Sequence, residues 1–292
     1  MNIGICAPSA PAVGTPEDTA KLESGLAVLR SLGFKLTLAP HCEQIIDYRS
    51  ATIADRVADL HRLYSDRNIE AIMAAGGGRV VSQLLSTLDF DLIKNNPKPL
   101  VGFSDISLLQ NAIWALTGIA SIHGPLAKHL SDNNEQTKIS LQTVLARQQQ
   151  TMPTEQFGQF LKGDCMTGRL LGGNLQSIST LLGTSYLPDF SDAIFLLEEV
   201  GEHISSIDRM LTQFKNAGVW NRINGVVIGH LEKIKTDYRG TNRDVWEMIA
   251  DHFAGCNFPL LRTELFGHDT PTQLSFTIGG NFTADKSAVT WQ

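Results

Sequence analysis

The sequence predicts an α/β fold. An N-terminal doubly wound parallel sheet of the flavodoxin-like kind spans residues 1–145, a linker covers 146–164, and a smaller α+β domain follows over 165–292. Three observations carry this. Short apolar runs at 2–7, 34–39, 69–75 and around Leu100-Val101 alternate with stretches of helical period, the pattern of parallel strands with helices on both faces. Glycines close two of those runs, as Gly76-Gly77-Gly78 and as Gly102, at the strand ends where such sheets place their sites. A polar stretch then divides a chain of 292 residues, more than one ordinary core organises.

In order, residues 2–7 form the first strand, and Ser9-Ala10-Pro11 is the loop at its carboxyl end. Thr15 ahead of Pro16, Glu17 and Asp18 is an N-cap with proline at the first helical position and acids in the first turn. That helix runs to Leu32, and Gly33 ends it. Residues 34–39 alternate as a second strand, 51–65 are an amphipathic helix, and 69–75 are a buried strand that meets the three glycines. A helix is expected from there through Leu85. The glycines match neither G-x-G-x-x-G nor Gly-Lys-Ser/Thr, so they serve to let backbone N–H groups approach a ligand. Leu100-Val101-Gly102 is a short buried strand. The residues after Ser104 continue as a helix to Leu116, with Ile106, Leu109, Ile113, Ala115 and Leu116 on its apolar positions. Ile119 to Pro125 holds a further strand end. From 131 to 163 the chain is polar and short of apolar runs, and is expected to be a partly helical, largely solvated connection. Beyond it, 166–175 reads as a strand, a tight glycine turn and a helix. Strands at 193–197, 226–229 and 276–279 and helices at 207–217 and 242–254 complete a shorter, more mixed set of elements, hence α+β.

The composition narrows the function. A hydrophobic fraction of 42% and a charged fraction of 18% describe a globular chain. A net charge of −6 with no run of basic residues argues against nucleic acid and anionic membrane surfaces as partners. No apolar segment approaches the ~20 residues of a membrane span. The first residues lack a basic region and a long apolar stretch, and read as a strand rather than a signal peptide. The four cysteines, Cys6, Cys42, Cys165 and Cys256, are far apart, and fit buried reduced thiols of a cytoplasmic protein better than a disulfide framework.

The chemistry centres on Gly102-Phe103-Ser104-Asp105-Ile106. A serine at a sharp strand-to-helix turn is the nucleophile-elbow arrangement, which lifts Oγ above the sheet edge. The first helical N–H groups, that of Asp105 foremost, then point toward an oxyanion forming beside it. The second glycine of the usual pentapeptide is Ile106 here, and Ser104 taken alone is more simply a helix N-cap. A serine nucleophile needs a base, itself oriented by a third group. Among the eight histidines, His61 and His252 fall inside amphipathic helices, and His41 and His129 in polar surroundings. His203 sits in an acid-rich loop, and His230 follows a buried strand. His123, in Ile122-His123-Gly124-Pro125, ends a strand on the Ser104 side and could touch substrate. His268 is the most suggestive, held between Gly267 and Pro271 in a defined loop. Glu198 and Glu199 end an apolar strand, where alternation turns one to a cleft and the other to solvent or the opposite face. No histidine pair has metal-ligand helical spacing, so no metal site is expected.

Taken together, these residues resemble the LD-carboxypeptidase family of serine peptidases, which includes muramoyltetrapeptide carboxypeptidases and microcin-immunity hydrolases. The marks run nearly end to end: Gly77-Gly78, Leu88-Asp89-Phe90-Asp91, Val101-Gly102-Phe103-Ser104-Asp105, His123-Gly124-Pro125, Leu171-Gly172-Gly173-Asn174-Leu175 and Gly183-Thr184-Ser185-Tyr186-Leu187-Pro188-Asp189. Phe195-Leu196-Leu197-Glu198-Glu199-Val200-Gly201-Glu202, Ile207-Asp208-Arg209-Met210-Leu211 and Gly267-His268 with Pro271 complete them. The resemblance implies Ser104 as nucleophile, Glu198 as orienting acid and His268 as general base, with an oxyanion hole from the N–H groups of Asp105 and Gly78. It implies release of D-alanine from murein tetrapeptide in cytoplasmic cell-wall recycling, without metal or organic cofactor, often by homodimers. Gly77, Arg79 and His123 are the expected substrate contacts. Two departures bear on substrate rather than on the triad. Gly76 and Arg79 stand where the family commonly has arginine and tyrosine, and His203-Ile204-Ser205-Ser206 replaces a proline-tyrosine-arginine loop. A microcin-immunity-type hydrolase that cuts an aminoacyl-nucleotide amide is the same-fold alternative. A non-catalytic module binding a nucleotide or peptide on the glycine loop is the alternative from another class.

Overall fold

The structure, a computed structural model, describes residues 1–238 and 241–292. Its first half is β1 (Asn2–Cys6), α1 (Pro16–Ser31), β2 (Lys35–Leu38), α2 (Ile53–Ser65), β3 (Ala71–Ala74), α3 (Phe90–Asn95), β4 (Leu100–Gly102), α4 (Ile106–Thr117), β5 (Ser121–His123) and α5 (Glu135–Leu145). Local chemistry sets the helix ends. Thr15 is extended and accepts from Asp18 N at 3.1 Å, with Pro16 next in line, and Thr52 caps α2 through Asp55 N at the same distance. At the other end of α2, Lys98 Nζ donates to the carbonyls of Leu63, Tyr64 and Asp66 at 2.8, 2.6 and 2.5 Å, using three acceptors the helix end leaves free. Strand β3 is buried along its whole length, as a central parallel strand must be.

The parallel strands lie in the order β2-β1-β3-β4-β5. This is the flavodoxin-like order. Strand order reverses between β1 and β3, and the crevice of such sheets opens at the carboxyl ends there.

The rest of the chain is β6 (Gln150–Pro153), α6 (Thr154–Phe157), β7 (Gln159–Lys162), β8 (Met166–Asn174), α7 (Leu175–Ser179), β9 (Ala193–Val200), α8 (Ile204–Asn216) and β10 (Gly225–Glu232). Then come β11 (Asp237–Tyr238), β12 (Thr241–Asn242), α9 (Val245–His252), β13 (Leu260–Arg262), β14 (Phe276–Ile278), β15 (Asn281–Ala284) and β16 (Ala288–Trp291). Eight strands make a mixed sheet in the order β6-β16-β15-β8-β9-β10-β13-β7, parallel from β8 through β13 and antiparallel toward both edges.

Several expectations change here. The glycines lead into a single 3₁₀ turn, Val81–Leu84, rather than a helix. Residues 146–164, expected as a largely solvated connection, carry the strands β6 and β7 at the two edges of the mixed sheet, with Phe157 fully buried between them. The helix expected at 242–254 starts only at Val245, capped by Asp244. Strand β14 leaves the second half to pair antiparallel with β5, Phe276 opposite His123. Of the cysteines, all free, only Cys6 and Cys42 are buried, while Cys165 is exposed.

Helix α4 joins the two halves. Its buried Asn111 donates to Gly172 O at 2.8 Å and accepts from Gly172 N at 2.9 Å, while Ser107 Oγ accepts from Asn174 N at 3.2 Å. Gln110 on the same helix donates to the carbonyls of Leu100, Gly102 and Ile122, fastening α4 to β4 and β5.

Candidate active site

Ser104 stands two residues beyond the end of β4 and holds φ at +63°, a left-handed backbone that a residue with a Cβ keeps only where its surroundings impose it. What imposes it is packing on both sides. Ile106, standing where a second glycine is usual, lies against Gly102, so the turn closes without that glycine. Ser107 N donates to Ser104 O at 2.9 Å, which starts α4 immediately beyond.

His268 reaches this serine from the far half of the chain. Its Nε2 lies 3.0 Å from Ser104 Oγ and its Nδ1 lies 2.6 Å from Glu198 Oε2. With the ring proton on Nδ1, donated to Glu198, Nε2 is left to accept the serine hydroxyl. The Phe103 ring packs on His268 at 4.7 Å between centroids. The loop that carries His268 is held from both halves. Gly267 N donates to Gln273 Oε1 at 3.0 Å, Gln273 N donates to Thr137 Oγ1 on α5 at 2.8 Å, and Lys233 pairs with Asp269.

Charge follows from burial. Glu198 is fully buried, and that alone would raise its carboxyl, yet His268 beside it holds it below the usual range. Burial also pulls the His268 imidazole down, and the Glu198 carboxylate outweighs this, so the ring sits above its ordinary value. Glu199 does not reach solvent, as one expectation had it. It is buried on the opposite face, where it accepts from Asn174 Nδ2, Gln176 N and Val200 N and anchors the start of α7. Burial and the neighbouring Glu198 push its carboxyl up to about 7.

The glycine loop lies against the serine. A Cβ on Gly77 would stand 3.1 Å from Ser104 Oγ, and one on Gly78, at φ +151°, would collide with Ser9. The N–H groups of Gly78 and Asp105 donate to no acceptor among the described residues. The Asp105 carboxylate has a further part that sequence reasoning did not find. It accepts from Ser9 Oγ and, at 2.9 Å, from Val81 N, so it ties the loops after β1 and β3 to the serine turn. Its partners lie far along the chain, and only its place beside the serine hinted at it.

Arg79 is exposed on the turn beyond the glycines. His123, expected to touch substrate, is fully buried, and its ring lies between Phe103 and Phe266. His230, read as following a buried strand, lies within β10 and is engaged with Glu232 at 2.6 Å and with Glu264. Among the described residues no cluster of three or more histidine, cysteine or acidic side chains is arranged to hold a metal ion. None of their helices is long and apolar enough to cross a membrane.

Comparison with known proteins agrees with this architecture. Residues 3–124 match the model of the LD-carboxypeptidase N-terminal domain, and residues 167–283 that of its C-terminal domain. The probable murein peptide carboxypeptidase of Bacillus subtilis is 29% identical over 98% of this chain and 90% of its own. The microcin C7 self-immunity protein MccF of Escherichia coli is 27% identical over 89% of this chain and 86% of its own. The crystal structure of muramoyltetrapeptide carboxypeptidase from Oxalobacter formigenes superposes with a TM-score of 0.88 at 23% identity, over 100% of this chain and 98% of that one. With both domain models matched in order, the chain belongs to the LD-carboxypeptidase family.

Proposed function

We propose that this chain is a serine carboxypeptidase that hydrolyses the bond between an L-centre and a terminal D-alanine in murein tetrapeptide, as a cytoplasmic homodimer in cell-wall recycling. The observation that carries the reading is the unbroken row from Ser104 Oγ through the His268 ring to the buried Glu198 carboxylate, at 3.0 and 2.6 Å. In this reading Ser104 Oγ attacks the scissile carbonyl as His268 Nε2 takes its proton, and Glu198 stabilises the imidazolium that forms. The N–H groups of Asp105 and Gly78 receive the oxyanion. His268 then protonates the leaving amine, D-alanine departs, and water, activated by the same histidine, releases the acyl group from Ser104. Gly77 allows the substrate carbonyl to lie close, and Arg79 is free on the surface to meet an anionic part of the substrate.

D-alanine release by wild type and by Ser104→Ala tests this. A loss of several orders of magnitude in the variant is expected, together with labelling of Ser104 by a serine-reactive phosphonate. Equal rates would remove Ser104 from the chemistry, and binding without turnover or labelling would leave a binding module. The second reading, cleavage of an aminoacyl-nucleotide amide as in microcin immunity, draws on the MccF relative and on the changed residues Gly76, Arg79 and His203. Turnover of both substrates by one preparation decides between them.

A further inference from the structure

His123 and one oxygen of Glu198 share an unusual condition. Both ring nitrogens of His123 and Oε1 of Glu198 are buried and make no hydrogen bond to any described group, although burying a polar atom unpaired is costly and rare. The fold brings the two together. His123 ends β5 opposite Gly102, two residues before Ser104, and Phe276 of β14 stands on its other side. Its ring edge faces the other sheet: a Cβ on Gly173 would come to 3.2 Å from His123 Cδ2, the atom bonded to Nε2, and would press on Ser107 as well. The residue after Gly173 is Asn174, which is the register partner of Glu198. The imidazole therefore occupies the seam that Gly173 leaves open, at the end of β9 from which Glu198 projects.

We propose that His123 is a positioning residue for Glu198: through one bridging water it holds the Oε1 that His268 leaves free, and extends the row from Ser104 through His268 and Glu198 to a fourth side chain. A water shared by these two groups would have two polar partners, within the range a buried water takes, and a carboxylate gripped at both oxygens cannot swing away from the histidine it orients. The groups that face His123 fit this part. Phe103 and Phe266 pack on it edgewise at 6.0 and 5.8 Å, Ser107 is neutral, and the charged neighbours are Glu198 and His268. Burial lowers the ring to about 4, with Glu198 opposing and His268 adding to the shift, so the ring is neutral in ordinary buffers and offers one N–H without adding charge to the triad.

The inference rests on the triad reading, and its test separates the two. In His123→Leu, kcat is expected to fall 10- to 100-fold with KM within twofold, and the acid limb of kcat/KM to move to higher pH, because a carboxylate that has lost a donor binds its remaining imidazolium more tightly. His123→Gln, which keeps an N–H, should recover at least half of the lost logarithm. A Leu variant within twofold of wild type, or Leu and Gln variants equally impaired, would overturn the proposal. A measurement without turnover stands beside it: the ring ¹⁵N resonances of His123 should shift between wild type and Glu198→Gln, and unchanged resonances would also overturn it. If Ser104→Ala keeps its rate, the triad reading fails, and the resonance comparison still decides whether His123 and Glu198 are coupled.

Discussion

At the scale of the residue, the site depends on a histidine whose affinity for a proton is lowered by burial and raised above its ordinary value chiefly by Glu198. Because Glu198 holds the His268 imidazole above its ordinary value, the proposed base is protonated, and idle, at pH values where a free histidine would already be neutral. The acid limb of kcat/KM is therefore expected above about 6.5. In Glu198→Gln the attraction is lost while burial remains, so the limb should move to lower pH even as kcat falls about 10⁴-fold, the scale seen when a triad acid becomes its amide. Rate profiles of both proteins check this, and a limb that stays in place would separate Glu198 from His268. How visible each residue was in the sequence follows from how local its cause is. His268 stands out because Gly267 and Pro271 constrain its own loop. The burial of His123 and the grip of Asp105 on Ser9 depend on partners about 150 and about 100 residues away, and nothing next to them in the chain encodes the contact.

Elements show the same division. The cap at Thr15 and the glycine stop at Gly33 after α1 act within a turn of the residues they organise, and both were readable. The segment after Gly78 reads as a helix from its apolar residues, yet Val81 N is taken by the Asp105 carboxylate, and the chain has room only for one 3₁₀ turn before Leu85. Likewise β6 and β7 look like solvated chain because edge strands of a mixed sheet bury alternate residues at most, in short runs. The element with most structural consequence is α4. Its Asn111 both donates to and accepts from Gly172, so Asn111→Ala leaves a buried N–H and a buried C=O unpaired at the junction. A loss of about 2–4 kcal/mol in unfolding free energy is expected, read as a lower urea midpoint with an unchanged slope. Because β8 would loosen from the helix that begins beside Ser104, kcat should fall in the same variant more than KM rises.

At the scale of the whole molecule, two features make the halves one unit. The first is electrostatic. His123 and His129 are both lowered to about 4, mainly by burial, whereas an unfolded chain protonates them near 6.5. Between those values these two side chains bind more protons in the unfolded state than in the folded one, so the stability they contribute is full above about 6.5 and falls as pH drops toward 4, while Glu199, pushed up to about 7, works the other way. Across that window the urea midpoint of wild type should therefore fall relative to that of His123→Gln as pH drops. The second feature is topological. Strand β14, from the last quarter of the chain, pairs with β5 at the edge of the first sheet, and its Phe276 and Ile278 are fully buried there. Asn111 and Ser107 of α4 find their partners on β8. Residues 1–145 alone would thus bare the edge of β5, leave Asn111 without Gly172 and lose burial worth about 1.5–3 kcal/mol for each large apolar side chain uncovered. Against a typical net stability of about 5–15 kcal/mol, such losses leave little. The fragment is expected to lack a sharp thermal transition and to bind a hydrophobic dye, while the full chain unfolds in one step by both fluorescence and circular dichroism. A fragment that melted cooperatively at the full chain's midpoint would show that the first sheet needs neither β14 nor β8. The proposed triad, drawn from both halves, would then remain as the catalytic reason for them to stay together.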